Sequence, residues 1–317
     1  ITNVAALAGL TNLSSLDVRW NLITNRSSVW SGPTNLASLY LGGNPLGRVP
    51  AFQPLSKLTH LSLDDAQIRN LSPLSGLTNL RYLAVGRNPS TNYPVLSGLT
   101  GMTSLELSGS AITNLNFISS LWQLTYADLS YCGLTNLSPL TGLTNLSGLV
   151  LAGNPQLNFA ALSTLPGVSN LWLQNNAITN ADFVMALPRL NHLNLDDNRI
   201  ASLVPMLGLT NLTRLGLSRN SITNWGALAT LTNLTGIRLE GNVLSDVSSI
   251  SNLGKLTFIS LNQNRIAGGV ALNALTNLQS CYLGQNRIQN IQVLELLPAL
   301  YEVDLSLNLL GPITGSP

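Results

Sequence analysis

Residues 209–230 read LTNLTRLGLSRNSITNWGALAT, and variants of this phrase fill the rest of the chain. The phrase restarts fourteen times, at intervals of 22 residues after a single first interval of 23. The repeats begin at Leu10, Pro33, Leu55, Leu77, Leu99, Leu121, Leu143, Leu165, Leu187, Leu209, Leu231, Leu253, Leu275 and Leu297. A unit this short cannot bury its apolar side chains alone, so the period predicts a solenoid of stacked turns.

We number the places of each repeat from its first residue. Seven of these places are apolar, and their spacing predicts the structure of one turn of the solenoid. In the repeat at Leu209 they hold Leu209, Leu212, Leu215, Leu217, Ile222, Trp225 and Leu228. Alternation around Leu215 and Leu217 is typical of a short strand, and equivalent strands should pair in parallel about 4.8 Å apart. The remaining segment, such as 223–230, favours turns and short 3₁₀ helices. We therefore predict a mainly β solenoid (α/β in class), bent into an arc with the sheet on its concave side and turns on its convex side.

The twelfth place of the repeat is Asn in eleven cases. These residues are Asn21, Asn44, Asn88, Asn154, Asn176, Asn198, Asn220, Asn242, Asn264, Asn286 and Asn308. An amide side chain carries donors and acceptors for backbone groups that a turn leaves unpaired, so the row predicts an internal hydrogen-bonded ladder. Ala66, Ser110 and Cys132 interrupt the row. We expect weaker hydrogen-exchange protection at those three turns.

The pattern LTNL…L.L..N.ITN resembles the 22-residue leucine-rich repeat of bacterial surface proteins, the internalin-like class. Segments 70–80 (NLSPLSGLTNL) and 136–146 (NLSPLTGLTNL) carry the resemblance, which covers essentially the whole chain. It implies a leucine-rich repeat horseshoe and, as an expectation, ligand binding at a cell surface. The helical cap and the immunoglobulin-like domain of that class are not found in these residues.

Unbroken periodicity predicts one leucine-rich repeat domain over residues 1–317. It consists of a partial repeat at 1–9, thirteen full repeats at 10–296 and a partial terminal repeat at 297–317. Because both ends fall within repeats, we expect a processed chain or a fragment of a larger protein.

Composition argues against several classes of partner. Charged residues make up 9% of the chain and the net charge is +2, so we expect no nucleic acid partner. No apolar run approaches the roughly 18 residues of a membrane span, so no membrane insertion is expected. Cys132 and Cys281 lie nearly seven strand spacings apart, roughly 33 Å, which is beyond the reach of a disulfide. Both occupy inward places, and we predict buried free thiols.

The strand layer should carry outward side chains at places six, eight, ten and eleven of each repeat, a surface that we call the sheet face. These 56 positions hold 15 of the 28 charged residues, both histidines and eight of the 17 aromatic residues. A purely structural surface does not require this enrichment, so we predict that ligand binds here. The predicted ligand-binding residues are Tyr82, Glu106, Tyr126, Asp128, Tyr131 and Trp172. The alternative is that the aromatic residues only improve cross-strand packing.

Other polar groups of the sheet face receive structural interpretations. Residues 64–65 and 196–197 are Asp-Asp pairs, each four residues after a histidine, His60 or His192. Two carboxylates supply too few of the six to eight oxygens that calcium takes, so no metal site and no cofactor is predicted. Arg214, Arg219, Arg238 and Glu240 are interpreted as a solvated charged rim rather than an anion site.

Catalysis is not expected. Glu106 and Asp128 lie on neighbouring predicted strands, but solvent on an open surface should keep both carboxyls ionised. The leading hypothesis is a non-catalytic recognition module, secreted or on a bacterial cell surface, that binds a protein or glycan through its concave face. The alternative is a structural subunit that stacks head-to-tail into an extracellular filament or surface coat.

Overall fold

The computed structural model describes residues 1–2, 4–24, 30, 32–112, 114–267 and 270–311. The chain falls into two compact units, Ile1–Gly167 and Val168–Pro317. Both units are built from the same turn, in which a three-residue strand is followed by a tight turn and then, in most repeats, by a 3₁₀ helix. The assignment of residues 1–317 to a single domain stays a prediction.

The first unit contains seven strands, and each pairs in parallel with the next without any shift of register. The strands are β1 (Ser15–Asp17), β2 (Ser38–Tyr40), β3 (His60–Ser62), β4 (Tyr82–Ala84), β5 (Ser104–Glu106), β6 (Tyr126–Asp128) and β7 (Gly148–Val150). Each strand covers places six to eight of its repeat, so the strand predicted from the alternation around Leu215 and Leu217 is three residues long in the structure. Equivalent residues of neighbouring repeats therefore stand side by side in rows.

The second unit repeats the arrangement with seven more parallel strands in register. They are β8 (Asn170–Trp172), β9 (His192–Asn194), β10 (Arg214–Gly216), β11 (Gly236–Arg238), β12 (Phe258–Ser260), β13 (Ser280–Tyr282) and β14 (Glu302–Asp304). The predicted parallel pairing of strands one repeat apart is confirmed within both units.

The helices of the described residues are all short 3₁₀ helices, as the sequence predicts. They span Ala5–Gly9, Ser72–Leu74, Tyr93–Gly98, Asn116–Ser120, Ser138–Leu140, Phe159–Thr164, Asp182–Ala186, Val204–Met206, Gly226–Thr230, Ser248–Ile250, Val270–Ala274 and Gln292–Leu296. Strands on one side of the turn and 3₁₀ helices on the other confirm the predicted mainly β solenoid class.

Apolar places of the repeat form the core. In the repeat at Leu209 every one of the seven predicted residues is buried, with Leu209 the most exposed at 4%. Cys132 and Cys281 are buried free thiols, which confirms their prediction. Because the core uses the inward residues of each turn, the sheet face is left for polar and aromatic side chains.

The asparagine ladder forms as predicted, and Asn88 shows its pattern. Its side-chain oxygen accepts hydrogen bonds from the backbone N–H groups of Ala66 at 3.1 Å and Ile68 at 2.9 Å, one repeat earlier. Its amide nitrogen donates to the carbonyls of Leu63 and Val85, both at 2.9 Å. One side chain thus joins the turns of two successive repeats.

Candidate functional site

The turn after each strand holds the residue at place eleven in the left-handed region of backbone conformation. All fourteen repeats share this feature, with φ between +51° and +71°. The residues are Trp20, Gly43, Asp65, Arg87, Gly109, Tyr131, Gly153, Asn175, Asp197, Arg219, Gly241, Gln263, Gln285 and Leu307. Glycine adopts this conformation freely, whereas an L side chain costs about 1–2 kcal/mol there. A bulky residue such as Tyr131 therefore adopts a backbone conformation here that glycine would adopt with less strain.

Two predicted binding residues in the repeat at Leu121 lie over glycines of the following repeat. A Cβ atom added to Gly148 would lie 2.8 Å from the Tyr126 ring, and one added to Gly153 would overlap the ring of Tyr131. Tyr126 is half-buried, whereas Tyr131 is 55% exposed. Glycine backbone thus supports both rings and leaves ring surface in contact with solvent.

Two carboxylates lie beside these rings. Glu106 and Asp128 are register partners on the adjacent strands β5 and β6. The Asp128 carboxylate accepts hydrogen bonds from the backbone N–H of Ser130 at 2.9 Å and from its hydroxyl, so its position is fixed. Burial and the charges of Asp64 and Asp128 raise the pKa of Glu106, while a hydrogen bond with Tyr82 opposes the rise.

The tyrosine hydroxyls near these carboxylates are hydrogen-bond donors at neutral pH. Burial and the charges of Asp128 and Glu106 raise the pKa of Tyr126 to about 12. Burial and the charge of Glu106 likewise raise the pKa of Tyr82. The sequence predicts a solvated Glu106 carboxyl on an open surface, whereas the structure half-buries it.

Tyr82, Glu106, Tyr126, Asp128 and Tyr131 therefore lie in three successive repeats of the first unit, the first four on strands β4 to β6 and Tyr131 in the turn after β6. The sixth predicted residue, Trp172, lies in the second unit, where its ring centroid is 5.0 Å from that of His192. The inclusion of Trp172 in the same site stays a prediction.

Carboxylates of the two Asp-Asp pairs have partners within the protein. Asp64 accepts hydrogen bonds from the backbone N–H of Gly86 at 2.9 Å and from the hydroxyl of Ser62 at 3.0 Å. Asp196 accepts from the Ser218 N–H at 2.6 Å. Among the described residues, no three His, Cys, Asp or Glu side chains form a group able to hold a metal ion.

A feature of the second unit escaped the sequence analysis. Gly216 and Gly236 floor a cavity of about 300 Å³ on the sheet face, which we call the glycine hollow. Side chains that line it include His192, Arg214 and Phe258, together with Asn194 and Arg238. The signal was two glycines on adjacent strands at places where other repeats carry larger residues. The predicted charged rim is therefore an incomplete description. Arg214 and Arg238 border a recess, because Gly216 and Gly236 between them carry no side chain.

Comparisons with solved structures agree on the fold. An internalin from Listeria monocytogenes has a TM-score of 0.77 and 26% identity, with 96% of this chain and 84% of that chain covered. A leucine-rich repeat protein from Leptospira interrogans has a TM-score of 0.80 and 24% identity, covering 97% of this chain and 82% of that chain.

A third solved structure, a complex of TLR13 with ssRNA13, has a TM-score of 0.70 and 22% identity, covering 96% of this chain and 52% of that chain. At that identity the likeness concerns the fold alone. No protein-family model matches the chain, and none of the curated proteins compared with it does so either. In the described part of the chain, every helix is too short to cross a bilayer.

Proposed function

We propose that the chain, whose fold is similar to that of an internalin and of another leucine-rich repeat protein, is a non-catalytic recognition module. It binds a protein or glycan through the sheet face, and it acts outside a bacterial cell, either secreted or on the cell surface. The residues that we assign to binding are Tyr82, Glu106, Tyr126, Asp128, Tyr131 and Trp172.

The observation that carries this proposal is the exposed ring that Tyr131 presents from a turn position where glycine also fits. Glycine occupies the same place in four other repeats, Gly43, Gly109, Gly153 and Gly241, so the fold accepts glycine there. Tyrosine costs about 1–2 kcal/mol more and still leaves over half of its side chain in water. Because all fourteen repeats share this conformation, it belongs to the fold, and what distinguishes Tyr131 is the aromatic surface that it leaves exposed beside the other assigned residues.

Rigid presentation is the mechanism that we infer for recognition. The ring of Tyr131 is supported by Gly153, and the carboxylate of Asp128 is held by two hydrogen bonds from Ser130. Groups that are already ordered lose little conformational entropy when a ligand binds. Ring surface beside carboxylate acceptors and the phenol of Tyr126 suits either a protein hot spot or a sugar.

Truncation of the aromatic residues tests the assignment. The triple variant Tyr126→Ala, Tyr131→Ala and Trp172→Ala should lose binding in pull-downs from cell-surface extracts and on a glycan array. The matched control replaces Trp122 and Tyr301, which are 56% and 77% exposed but lie outside the sheet-face places. Circular dichroism should show an unchanged fold in both variants. Undiminished capture by the folded triple variant, or equal loss in the control, would refute the assignment.

Head-to-tail stacking into a filament or coat is the competing proposal, and light scattering separates the two. A recognition module stays monomeric as concentration rises, whereas a stacking subunit grows in mass. Growth of the unliganded chain into long particles would favour the structural role over ligand recognition.

A further inference from the structure

The glycine hollow exists because the adjacent strands β10 and β11 each carry a glycine on the sheet face, at diagonal positions of the register. Along place six, Gly236 stands between Arg214 and Phe258, its register partners on β10 and β12. A Cβ atom added to Gly236 would meet nothing nearer than the Phe258 ring at 3.9 Å. Along place eight, Gly216 stands beside Arg238 of β11. A Cβ atom added to Gly216 would lie 3.0 Å from side-chain oxygens of both Asn194 and Asp196, so these two side chains border the hollow there. The open part of the recess lies over Gly236, with backbone as its floor.

Two guanidinium groups border this recess without an ion-pair partner. Within the described residues, Arg219 pairs with Asp197 and Glu240, but neither Arg214 nor Arg238 takes part in an ion pair. Both of these side chains are exposed. Two guanidinium groups that line one recess without an ion pair favour an anionic ligand, and their planar forks suit a carboxylate.

One acid faces the same region and limits the net charge. Asp196 lies close enough to Arg238 for its pKa to feel that charge, although burial dominates and raises it. Its carboxylate accepts a hydrogen bond from the Ser218 N–H at 2.6 Å, so part of its charge is already satisfied. Arg214 and Arg238 carry two positive charges and Asp196 carries at most one negative charge, so the net charge around the hollow is positive.

The walls of the hollow add ring surface and a neutral donor. Phe258 forms one wall, with the Arg238 guanidinium carbon 5.7 Å from its ring centroid. On the opposite side stands His192, whose ring is 5.0 Å from that of Trp172. Burial, with the charges of Arg214 and Arg238, lowers the pKa of His192, so it is a neutral imidazole at neutral pH.

We propose that the glycine hollow is a subsite for a carboxylated sugar, with its carboxylate on Arg214 and Arg238 and its ring against Phe258. A volume of about 300 Å³ is at the lower end of small-molecule sites and suits one monosaccharide. An Asp or Glu side chain from a protein would fill only part of it. Aromatic side chains pack against the apolar face of a sugar ring, which a simple anion site would not require.

This subsite deepens the proposed function by naming a ligand class, yet it uses none of the residues in the first unit. A double variant Tyr126→Ala and Tyr131→Ala therefore separates the two proposals. Sugar-acid binding that survives in that variant, while capture from cell-surface extracts is lost, would support both assignments.

Nuclear magnetic resonance titration of the ¹⁵N-labelled chain tests the subsite directly. Glucuronate, galacturonate and N-acetylneuraminate are the probes, with glucose as the neutral control and N-acetylglutamate as the acidic side-chain control. At least one sugar acid should shift the backbone signals of Gly216 and Gly236, and both controls should have little effect. Absence of any such shift with all three sugar acids would overturn the proposal, as would stronger binding of N-acetylglutamate.

Two variants then test how the ligand is held. Arg214→Gln with Arg238→Gln should weaken binding at least tenfold, because each charged hydrogen-bonding partner is lost. Gly236→Val fills the hollow and should abolish binding, while leaving both charges in place. If it disturbs the fold, Gly236→Ala takes its place and should still weaken binding severalfold. The control is Arg265→Gln with Arg287→Gln, exposed arginines outside the sheet-face places. Full affinity in folded Gly236→Val, or equal weakening by the control pair, would contradict the assignment.

Discussion

Removal of one asparagine of the ladder should lower the free energy of unfolding, and the lost hydrogen bonds set the size of the effect. In Asn88→Ala, the N–H groups of Ala66 and Ile68 lose their acceptor, and the carbonyls of Leu63 and Val85 lose a donor. A buried polar group left without a partner costs about 1–3 kcal/mol. Taking the lower value for all four groups predicts a destabilisation of about 4 kcal/mol.

A third hydrogen bond donated by the Asn88 amide should contribute little to this loss. Asn88 also donates to the Gly86 carbonyl at 3.1 Å, but that oxygen keeps a hydrogen bond from the Asp65 N–H at 3.0 Å. The matched control is Asn79→Ala, which removes one exposed hydrogen bond to the Ser56 carbonyl. Exposed bonds are readily replaced by water, so the control should cost less than about 1 kcal/mol.

Urea denaturation gives the global effect, and native-state hydrogen exchange locates it. A loss of about 4 kcal/mol corresponds to exchange roughly a thousandfold faster at the amides of Ala66 and Ile68. Amides in the second unit should change far less, because repeat stability is a sum of local terms. A destabilisation as small as that of Asn79→Ala, with both amides still protected, would refute the argument that the ladder holds the turns together.

The remaining predictions concern titrating groups. Burial raises the pKa of Cys132 to about 11 and that of Cys281 to about 12, so neither thiol should react with iodoacetamide at pH 8 until the chain unfolds. Rapid labelling of the folded chain, followed by mass spectrometry, would contradict their burial. Glu106 has a folded-state pKa raised above its ordinary value of 4.5, so the folded chain binds that proton more tightly than the unfolded chain does. Stability is therefore expected to fall as pH rises from 4.5 through the folded pKa, and Glu106→Gln should flatten this part of a urea-denaturation profile. Parallel profiles for the variant and the parent chain would exclude Glu106 as a source of the slope.

The features that repeat were predictable from the sequence, because each one recurs at a fixed place. Leu215 and Leu217 identify the strand through their alternation, and Asn88 identifies the ladder through its recurrence. Clustering of Glu106 and Asp128 follows as well, since equal places in adjacent repeats must be neighbours in a parallel sheet.

The features that depend on side-chain direction were not predictable. Whether Tyr131 leans toward the preceding or the following repeat is decided by the left-handed turn and by the space above Gly153. Cys132 gives a second example, since the sequence predicts a simple gap in the ladder. The thiol instead donates to the carbonyls of Leu107 at 3.2 Å and Ser130 at 3.3 Å, as an amide nitrogen would.

Residues at place eleven show which side chains the fold itself explains. Arg219 has the same strained backbone as Tyr131, but it gains ion pairs with Asp197 and Glu240. Such exposed pairs are worth up to about 1 kcal/mol each, enough to offset much of the strain. Tyr131 packs against Gly153 and keeps over half of its surface in water. Its contacts within the fold therefore offset less of the backbone strain than the ion pairs of Arg219 do. Trp20 has the same conformation, lies over Gly43 and is 70% exposed, so a place-eleven ring with little return from the fold is not unique to Tyr131. We propose that a ligand covers the exposed ring of Tyr131, where the neighbouring carboxylates Glu106 and Asp128 add polar contacts.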